Sequence, residues 1–423
     1  MKLTCSIRNI KFLVLAMLLP VIQEEAFAQE GVTSTPDKKI QFIPYPDFPS
    51  ANSTWGSIGY NPADSAVYIG VTNHKDKVGL YEYSTMRNTM KLKGFVQDLG
   101  YLRDYQWQGK IHSKIVGGPD GAVYFSTDGG ESKEEYLMDH PKGYAGGYLM
   151  KWDPAVQKLT NLGVTLQYES IKDVEVDQHT GKIYAITYPQ VHFVTFDAEK
   201  NELKDFGRLG SGHVPRVIFT DKWGNCYYVD WRQRLVKYEK SQDKLVFAEN
   251  SLPSFPGTPG EHIITGVTAY AKDTVKNIIY LVTYGAKLIA FHPQENGIGK
   301  FEDLGGAFDG DKKPWNYYVP NLNISNAGKL YYIIGGHGHF AIKGKTVLME
   351  FDPATRKKQL LYQFNIDEIV EVTGSDIRDT NGNLYFAGRK MIPFDPNSKD
   401  KDRKLDEGIS VPFLIKFNPD KIQ

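Results

Sequence analysis

The sequence predicts an all-β fold: a seven-bladed β-propeller whose ring is closed by an N-terminal strand completing the last blade. Two observations point to it. An apolar segment centred on a tyrosine recurs seven times, at Tyr68, Tyr124, Tyr184, Tyr227, Tyr280, Tyr331 and Tyr385, with spacings of 56, 60, 43, 53, 51 and 54 residues. Each is followed by a second apolar segment ending on an aromatic residue, at Tyr83, Trp152, Phe196, Tyr238, Phe291, Phe351 and Phe417. A multi-strand unit of roughly 50 residues repeated about 4 to 8 times is the pattern of a propeller.

Each unit parses as four strands. In the second, residues 114–117 form the inner strand, followed by 122–126, 148–153 and an outer strand at 158–162. Turn signals such as Pro119-Asp120-Gly121 and Trp223-Gly224-Asn225 join the first two strands. The seventh unit ends at Asn418-Pro419 without an outer strand, while residues 39–43 precede the first inner strand and have no blade of their own. Pairing residues near 39–45 with residues near 413–417 would close the ring and remove an open sheet edge.

Residues 1–28 read as a signal peptide. Lys2, Arg8 and Lys11 precede an apolar run from Phe12 to Ile22, and Ala26-Phe27-Ala28 fits a small-x-small cleavage site. Residues 29–38 read as a disordered lead and 39–423 as the catalytic propeller, which places the protein outside the cytoplasm, secreted or periplasmic. Beyond the leader only Cys226 remains, so stability must come from packing rather than an internal disulfide. Lys plus Arg equals Asp plus Glu at 50 each, which argues against a nucleic-acid or membrane-surface partner. A monomer is expected.

In this topology the loops after the second strands and those leading into the inner strands open on one face. The former carry Asn73, His74, Asp128, His140, Tyr144, Tyr188, Asp230, Trp231, Arg232, Tyr284, His337, His339 and Arg389. The latter carry His112, Glu169, His213, Arg216, His262, Asn316, Tyr317 and Asp376. Most of the ten histidines therefore converge on one mouth, with the tyrosine, arginine and tryptophan a polar-ligand site needs. The long insertion between Asp128 and Gly147 borders the same face.

Gly109-Lys110-Ile111-His112-Ser113, then Asp120-Gly121 with Val123-Tyr124-Phe125, then Gly143-Tyr144 and Gly146-Gly147 before a strand ending in Asp153-Pro154, resembles the second blade of seven-bladed propeller polysaccharide lyases. Ulvan lyases and rhamnose–glucuronate lyases are the relevant groups, and Tyr188-Pro189 and Arg216 continue the resemblance. It implies a secreted enzyme cutting a uronic-acid-containing polysaccharide by β-elimination. His112 and His140 would sit in the site, Tyr188 would act in proton transfer, and Arg216 would hold the uronate carboxylate. Tyr144, Trp231, Arg232, His262, Tyr284, His337 and Arg389 are the substrate-binding candidates.

These residue types suit the chemistry. Elimination removes the weakly acidic C5 proton of a uronate and expels O4, so the neighbouring carboxylate must be neutralised, and a guanidinium does this with bidentate geometry. The base must work near neutral pH; histidine titrates near 6.5, while tyrosine, near 10, needs adjacent positive charge. The expected partner is an anionic polysaccharide or oligosaccharide. No cofactor is expected to be required, and a bound divalent cation, calcium or zinc, stays open because His337 and His339 alone do not complete a ligand set. Three alternatives remain: a non-catalytic carbohydrate- or protein-binding propeller, a metal-dependent lactonase or streptogramin-lyase-like enzyme, and a glycoside hydrolase. The last needs two facing carboxylates, and Asp128, Glu169, Asp230 and Asp376 are scattered over four blades.

Overall fold

The computed structural model describes residues 40–74, 77–103, 106, 108–128, 145–210, 217–230, 232–253, 266–308, 319–334, 346–364, 371–392 and 409–421. The segments expected to be a signal peptide and a lead, residues 1–38, lie outside the described residues. Within residues 38–423 the chain is an all-β propeller whose one α-helical segment among the described residues is the single turn Val96–Leu99.

Four sheets have four strands each, joined in sequence order by antiparallel pairing; the first runs Ile58–Asn61, Ala66–Thr72, Val78–Ser84, Thr89–Phe95. A fifth sheet has five strands, because Lys110–Ile111 and Val116–Gly117 both pair with Val123–Asp128. The sixth has eight. It contains two antiparallel runs of four that meet only through the parallel pairs Asn321↔Gly374 and Leu322↔Ser375. Middle strands such as Ala66–Thr72 and Val78–Ser84 are buried along their whole length, whereas outer strands such as Glu202–Arg208 are largely exposed. Sheets stacked face to face around an axis produce this gradient, since only the outer edge of each meets water.

The closing strand is Ile40–Pro44. It pairs antiparallel with the last strand, from Ile40↔Phe417 to Pro44↔Phe413, so the anticipated partner segment is the one found. Proline is tolerated there because the strand lies at the outer edge.

The repeat tyrosines are packing residues: all seven are at most 4 % exposed. Most also tie down a turn. The hydroxyls of Tyr68, Tyr124, Tyr227 and Tyr385 donate to Asp64, Asp120, Asp221 and Asp379 at 2.5–2.8 Å. Asp221 also accepts the Trp223 and Asn225 amides and the Asn225 side chain, so one carboxylate shapes the whole turn. Tyr184 reaches across to the Gly224 carbonyl of the next sheet, and Tyr331 donates to Glu350. Burial, then the adjacent Asp221, holds the Tyr227 phenol far above its usual range, keeping it a donor.

Inner strands of neighbouring sheets are stitched around the axis. Ile115 N donates to Ile58 O at 3.4 Å, and the Lys114 and Ile218 amides donate to Asp173 at 3.0 and 2.8 Å. Lys272 reaches Thr220 at 3.0 Å, and Thr268 donates to the Val319 carbonyl at 2.7 Å. Asp376 N bonds Leu322 O at 2.9 Å, and the Gly56 amide donates to Thr373 Oγ1 at 2.8 Å, completing the circuit. Gly59 is required by this closeness: a Cβ there would fall 1.6 Å from the Ile115 carbonyl oxygen.

Asp120 illustrates the energetic role of the turn acids. Burial alone would raise its pKa, but hydrogen bonds from Lys151 and Tyr124 outweigh this and hold it below the ordinary value of 3.8. A lowered folded pKa contributes stability above the unfolded value and loses it as pH falls through the folded one. Asp120→Asn should therefore cost about 1 kcal/mol or less at pH 7, given partial solvent screening. The difference from wild type should vanish in acid, as read by urea denaturation from pH 7 to 2.

Candidate active site at the central mouth

The axial cavity is lined by Trp55, Gly56, His112, Lys114, Asp173, Val217, Thr268, Pro320, Glu371, Thr373, Gly374 and Ser375. Its empty volume is about 540 Å³, open solvent included. These residues come from successive inner-strand segments, so the funnel is the axis of the ring. Its floor is a charged network: Lys114 contacts Asp173 at 2.5 Å and Glu175 at 3.5 Å, and Tyr270 donates to Glu175 at 3.2 Å. Burial pulls the Lys114 ammonium toward neutrality, but the two carboxylates more than compensate and raise its pKa.

Trp55, half-buried, is the centre of the wall. Its indole Nε1–H donates to His74 Nε2 at 2.6 Å, and His74 Nδ1 sits 2.8 Å from Asn52 Oδ1. Because Nε2 accepts the indole proton, Nδ1 carries the His74 hydrogen and donates to Asn52. The Lys110 ammonium lies 4.4 Å from the Trp55 ring centroid and the Arg389 guanidinium carbon 5.8 Å away, both within cation–π range. His112 stacks nearly parallel to the indole, 13° between planes and 6.5 Å between centroids. Its Nδ1 lies 3.2 Å from the Lys172 carbonyl. A carbonyl only accepts, so Nδ1 bears the proton and Nε2 holds the lone pair of the neutral ring.

Lys172 links this wall to Tyr188. Its ammonium sits 5.0 Å from the Tyr188 ring centroid and 2.5 Å from buried Asp128, which also accepts the Ser170 hydroxyl at 2.7 Å. Tyr188, at the end of the strand Ile183–Tyr188, precedes a cis proline and is half-buried. His112 and Tyr188 thus flank one lysine, the first through its carbonyl and the second through its ammonium.

Arg389 belongs to the same wall, whereas most other anticipated residues that the structure describes do not. Arg389 lies opposite Glu371 across the sheet, Nε 2.7 Å from the carboxylate at an oblique angle, so charge rather than an aligned hydrogen bond holds the pair. Arg232 is exposed, and its amide donates to Asp230, whose carboxylate also clamps Arg234. Tyr284 is half-buried, with its amide bonded to the Gly266 carbonyl, and does not line the cavity. Glu169 accepts Thr187 Oγ1 and the Gln190 amide, both at 3.0 Å, and so serves the turn. Asp376 requires correction: the inner strand there is Glu371–Ser375, so Asp376 follows it and accepts the Lys272 amide near the floor, while Glu371 begins it. His140, Tyr144, His213, Arg216, Trp231, His262, Asn316, Tyr317, His337 and His339 lie outside the described residues.

Sequence reasoning missed Trp55, Lys110, Lys172 and Glu371. Trp55 was within reach, since it precedes the first inner strand just as His112 precedes Val116–Gly117. Among the described residues no group of three or more His, Cys, Asp or Glu side chains is placed to hold a metal ion, and no helix is long and apolar enough to cross a membrane. Cys226 is buried, and burial holds its thiol well above the usual range.

No known protein family and no curated protein matches the chain. Solved structures do match. A catalytically inactive virginiamycin B lyase from Staphylococcus aureus, with quinupristin, aligns at TM-score 0.57 and 10% identity over 89% of this chain and 98% of that one. YCF48 from Cyanidioschyzon merolae aligns at TM-score 0.51 and 10% identity over 90% and 100%. At these identities the likeness establishes the β-propeller fold.

The Lys172–Asp128 pair supports the wall, and its loss should be costly. Lys172→Met removes the ammonium from a fully buried carboxylate and should destabilise the fold by about 3–5 kcal/mol. Lys172→Met with Asp128→Asn should cost clearly less than the sum of the single changes, as measured by urea denaturation.

Proposed function

We propose that the protein is a seven-bladed propeller acting as a polysaccharide lyase, secreted or periplasmic, that cleaves a uronic-acid-containing glycan of the ulvan type by β-elimination at the central mouth. Seven blades follow if the eight-stranded sheet is counted as two, the parallel contact being a junction between inner strands. The cavity lining favours this count, because seven successive inner segments contribute to it: 55–56, 112–114, 173, 217, 268, 320 and 371–375.

The observation that carries the enzymatic reading is His112. Its hydrogen bond to the Lys172 carbonyl leaves the lone pair on Nε2, the form a general base needs. Lys110 and Arg389 stand at the Trp55 ring on which His112 stacks, and the Lys172 ammonium stands at Tyr188; these cations suit a carboxylated sugar. In the proposed reaction Nε2 takes the C5 proton. Its electron pair is delocalised into the carboxylate and then forms the C4–C5 double bond as C4–O4 breaks. The departing oxygen receives a proton from the Tyr188 phenol. Cations fixed beside the carboxylate act most strongly on this developing charge, which is where they accelerate the step. Arg389 keeps donors beyond the one facing Glu371 and can reach an anion with them. Arg216 and His140 remain candidates for carboxylate binding and proton transfer through the family resemblance.

The test is incubation with a panel of uronate polysaccharides, following ultraviolet absorbance of the new conjugated double bond. His112→Ala and Tyr188→Phe should each lower kcat about a hundredfold or more, with KM little changed for Tyr188→Phe. Arg389→Ala should lower kcat/KM. New reducing ends without the absorbance would indicate a hydrolase, and glycan binding without any product a binding module; either result overturns the lyase reading.

A further inference from the structure

We propose a second binding site, for a neutral sugar unit or similar vicinal polyol, in the cleft on the side of the ring opposite the mouth, between the sheet containing Ile278–Thr283 and the one containing Leu330–Ile334. The cleft has about 600 Å³ of empty space, open solvent included. It is bordered by the turn ending at Lys276, by Ala327-Gly328 of the next sheet, and by Asp352-Pro353-Ala354. In an antiparallel meander these first-to-second and third-to-fourth strand turns share one end of the sheet. That end is the one away from Trp55 and His112.

The second observation is Tyr280. Its ring is buried, the residue being only 3 % exposed, and it lines the cleft; its hydroxyl makes no hydrogen bond to a described residue and is not among the enclosed polar atoms, so it meets the open space of the cleft. The equivalent tyrosines of the other six repeats all have one: Asp64, Asp120, the Gly224 carbonyl, Asp221, Glu350 and Asp379. Tyr184 shows what Tyr280 forgoes, since it donates to the glycine carbonyl of the next sheet's turn, whereas the cleft separates Tyr280 from such a seal at Gly328. A phenol that meets the cleft without a protein partner can donate to whatever occupies that space.

The surroundings select the ligand. The phenol is held as a donor, pushed up to about 12 by burial and then by Asp273, Glu302 and Asp352. Asp273 is balanced by Lys276 at 3.7 Å and Glu302 by Arg356 at 2.6 Å. Asp352 remains an acceptor, its carboxyl kept below the ordinary range despite burial by Thr355 and two turn amides. A ligand that accepts from Tyr280 and donates an O–H to Asp352 fits, and neighbouring hydroxyls of one sugar ring do both. Ile278, Leu304 and Pro353 offer the apolar surface that carbohydrate C–H faces cover. An anionic sugar is disfavoured here, in contrast to the mouth.

The test is saturation-transfer NMR on the wild-type protein, with methyl glucoside as the neutral probe and glucuronate as the anionic control. Methyl glucoside should bind, and Tyr280→Phe should weaken it about tenfold while leaving the unfolding midpoint unchanged, because no internal hydrogen bond is lost. Ala327→Trp, which fills the rim, should abolish binding, whereas Trp55→Ala should not affect it. Absence of transfer from methyl glucoside, undiminished binding in both cleft variants, or loss of binding in Trp55→Ala would overturn the proposal. None of these readouts depends on lyase activity, so the two ideas fail separately.

Discussion

A single buried carboxylate, Asp173, holds together three inner strands of the ring. It accepts the Lys114 amide, the Lys114 ammonium and the Ile218 amide, while the same ammonium also donates to the Ile218 carbonyl. Elsewhere around the ring neighbouring sheets share such bonds, as at Ile115–Ile58 and Thr268–Val319, and the rest of their contact is side-chain packing, which tolerates sliding. These directional bonds fix their height along the axis. The arrangement is costly to desolvate, and it pushes the Asp173 carboxyl up despite its ammonium partner. It persists because removing either partner would strand a buried charge.

The candidate site is built on the same feature. A register shift lies between Ile171 and Asp173, and such a bulge turns neighbouring side chains away from their alternating positions. On one side of it Asp173 serves the floor of the funnel. Beside it Lys172 supplies the carbonyl that fixes the His112 tautomer and the ammonium that bridges Asp128 and Tyr188. Structural belt and candidate site therefore share two consecutive residues. A change intended to probe one will disturb the other, which is why substitutions confined to side-chain tips, such as Tyr188→Phe, are the informative ones.

The two ends of the ring carry opposite chemistry. At the mouth, Lys110 and Arg389 gather around the electron-rich face of Trp55, with Lys172 beyond them. At the other end the turn acids dominate, each satisfied by a tyrosine hydroxyl, a turn amide or a lysine. Turns between adjacent strands favour aspartate because its carboxylate caps their amides. The acidic underside is thus a by-product of repeat construction, and Tyr280 stands out against it because its partner is missing.

The seven tyrosines were legible in the sequence because their pattern is local; the turn aspartates that four of them bond are equally local, but the bonds themselves came from the structure. A strand alternates its faces every two residues, and an aspartate four to six positions earlier lies in the preceding turn whatever the rest of the chain does. The closing strand was legible for a related reason: a repeat lacking its last strand must take one from elsewhere. His112 was expected at the mouth from its position before an inner strand, and it lines the axial cavity. Tertiary structure alone decided what surrounds it. Trp55 and Arg389 are far apart in sequence and meet because the ring closes, as do the Gly56 amide and Thr373. Asp376 was misplaced because a short inner strand can shift by several residues without altering the local pattern; its true bounds, Glu371–Ser375, depend on pairing with Asn321–Ile324 on one side and Leu384–Ile392 on the other. Periodicity encodes the blades, and the contacts between blades, where the candidate site lies, leave no periodic trace because they join residues that only the closed ring brings together.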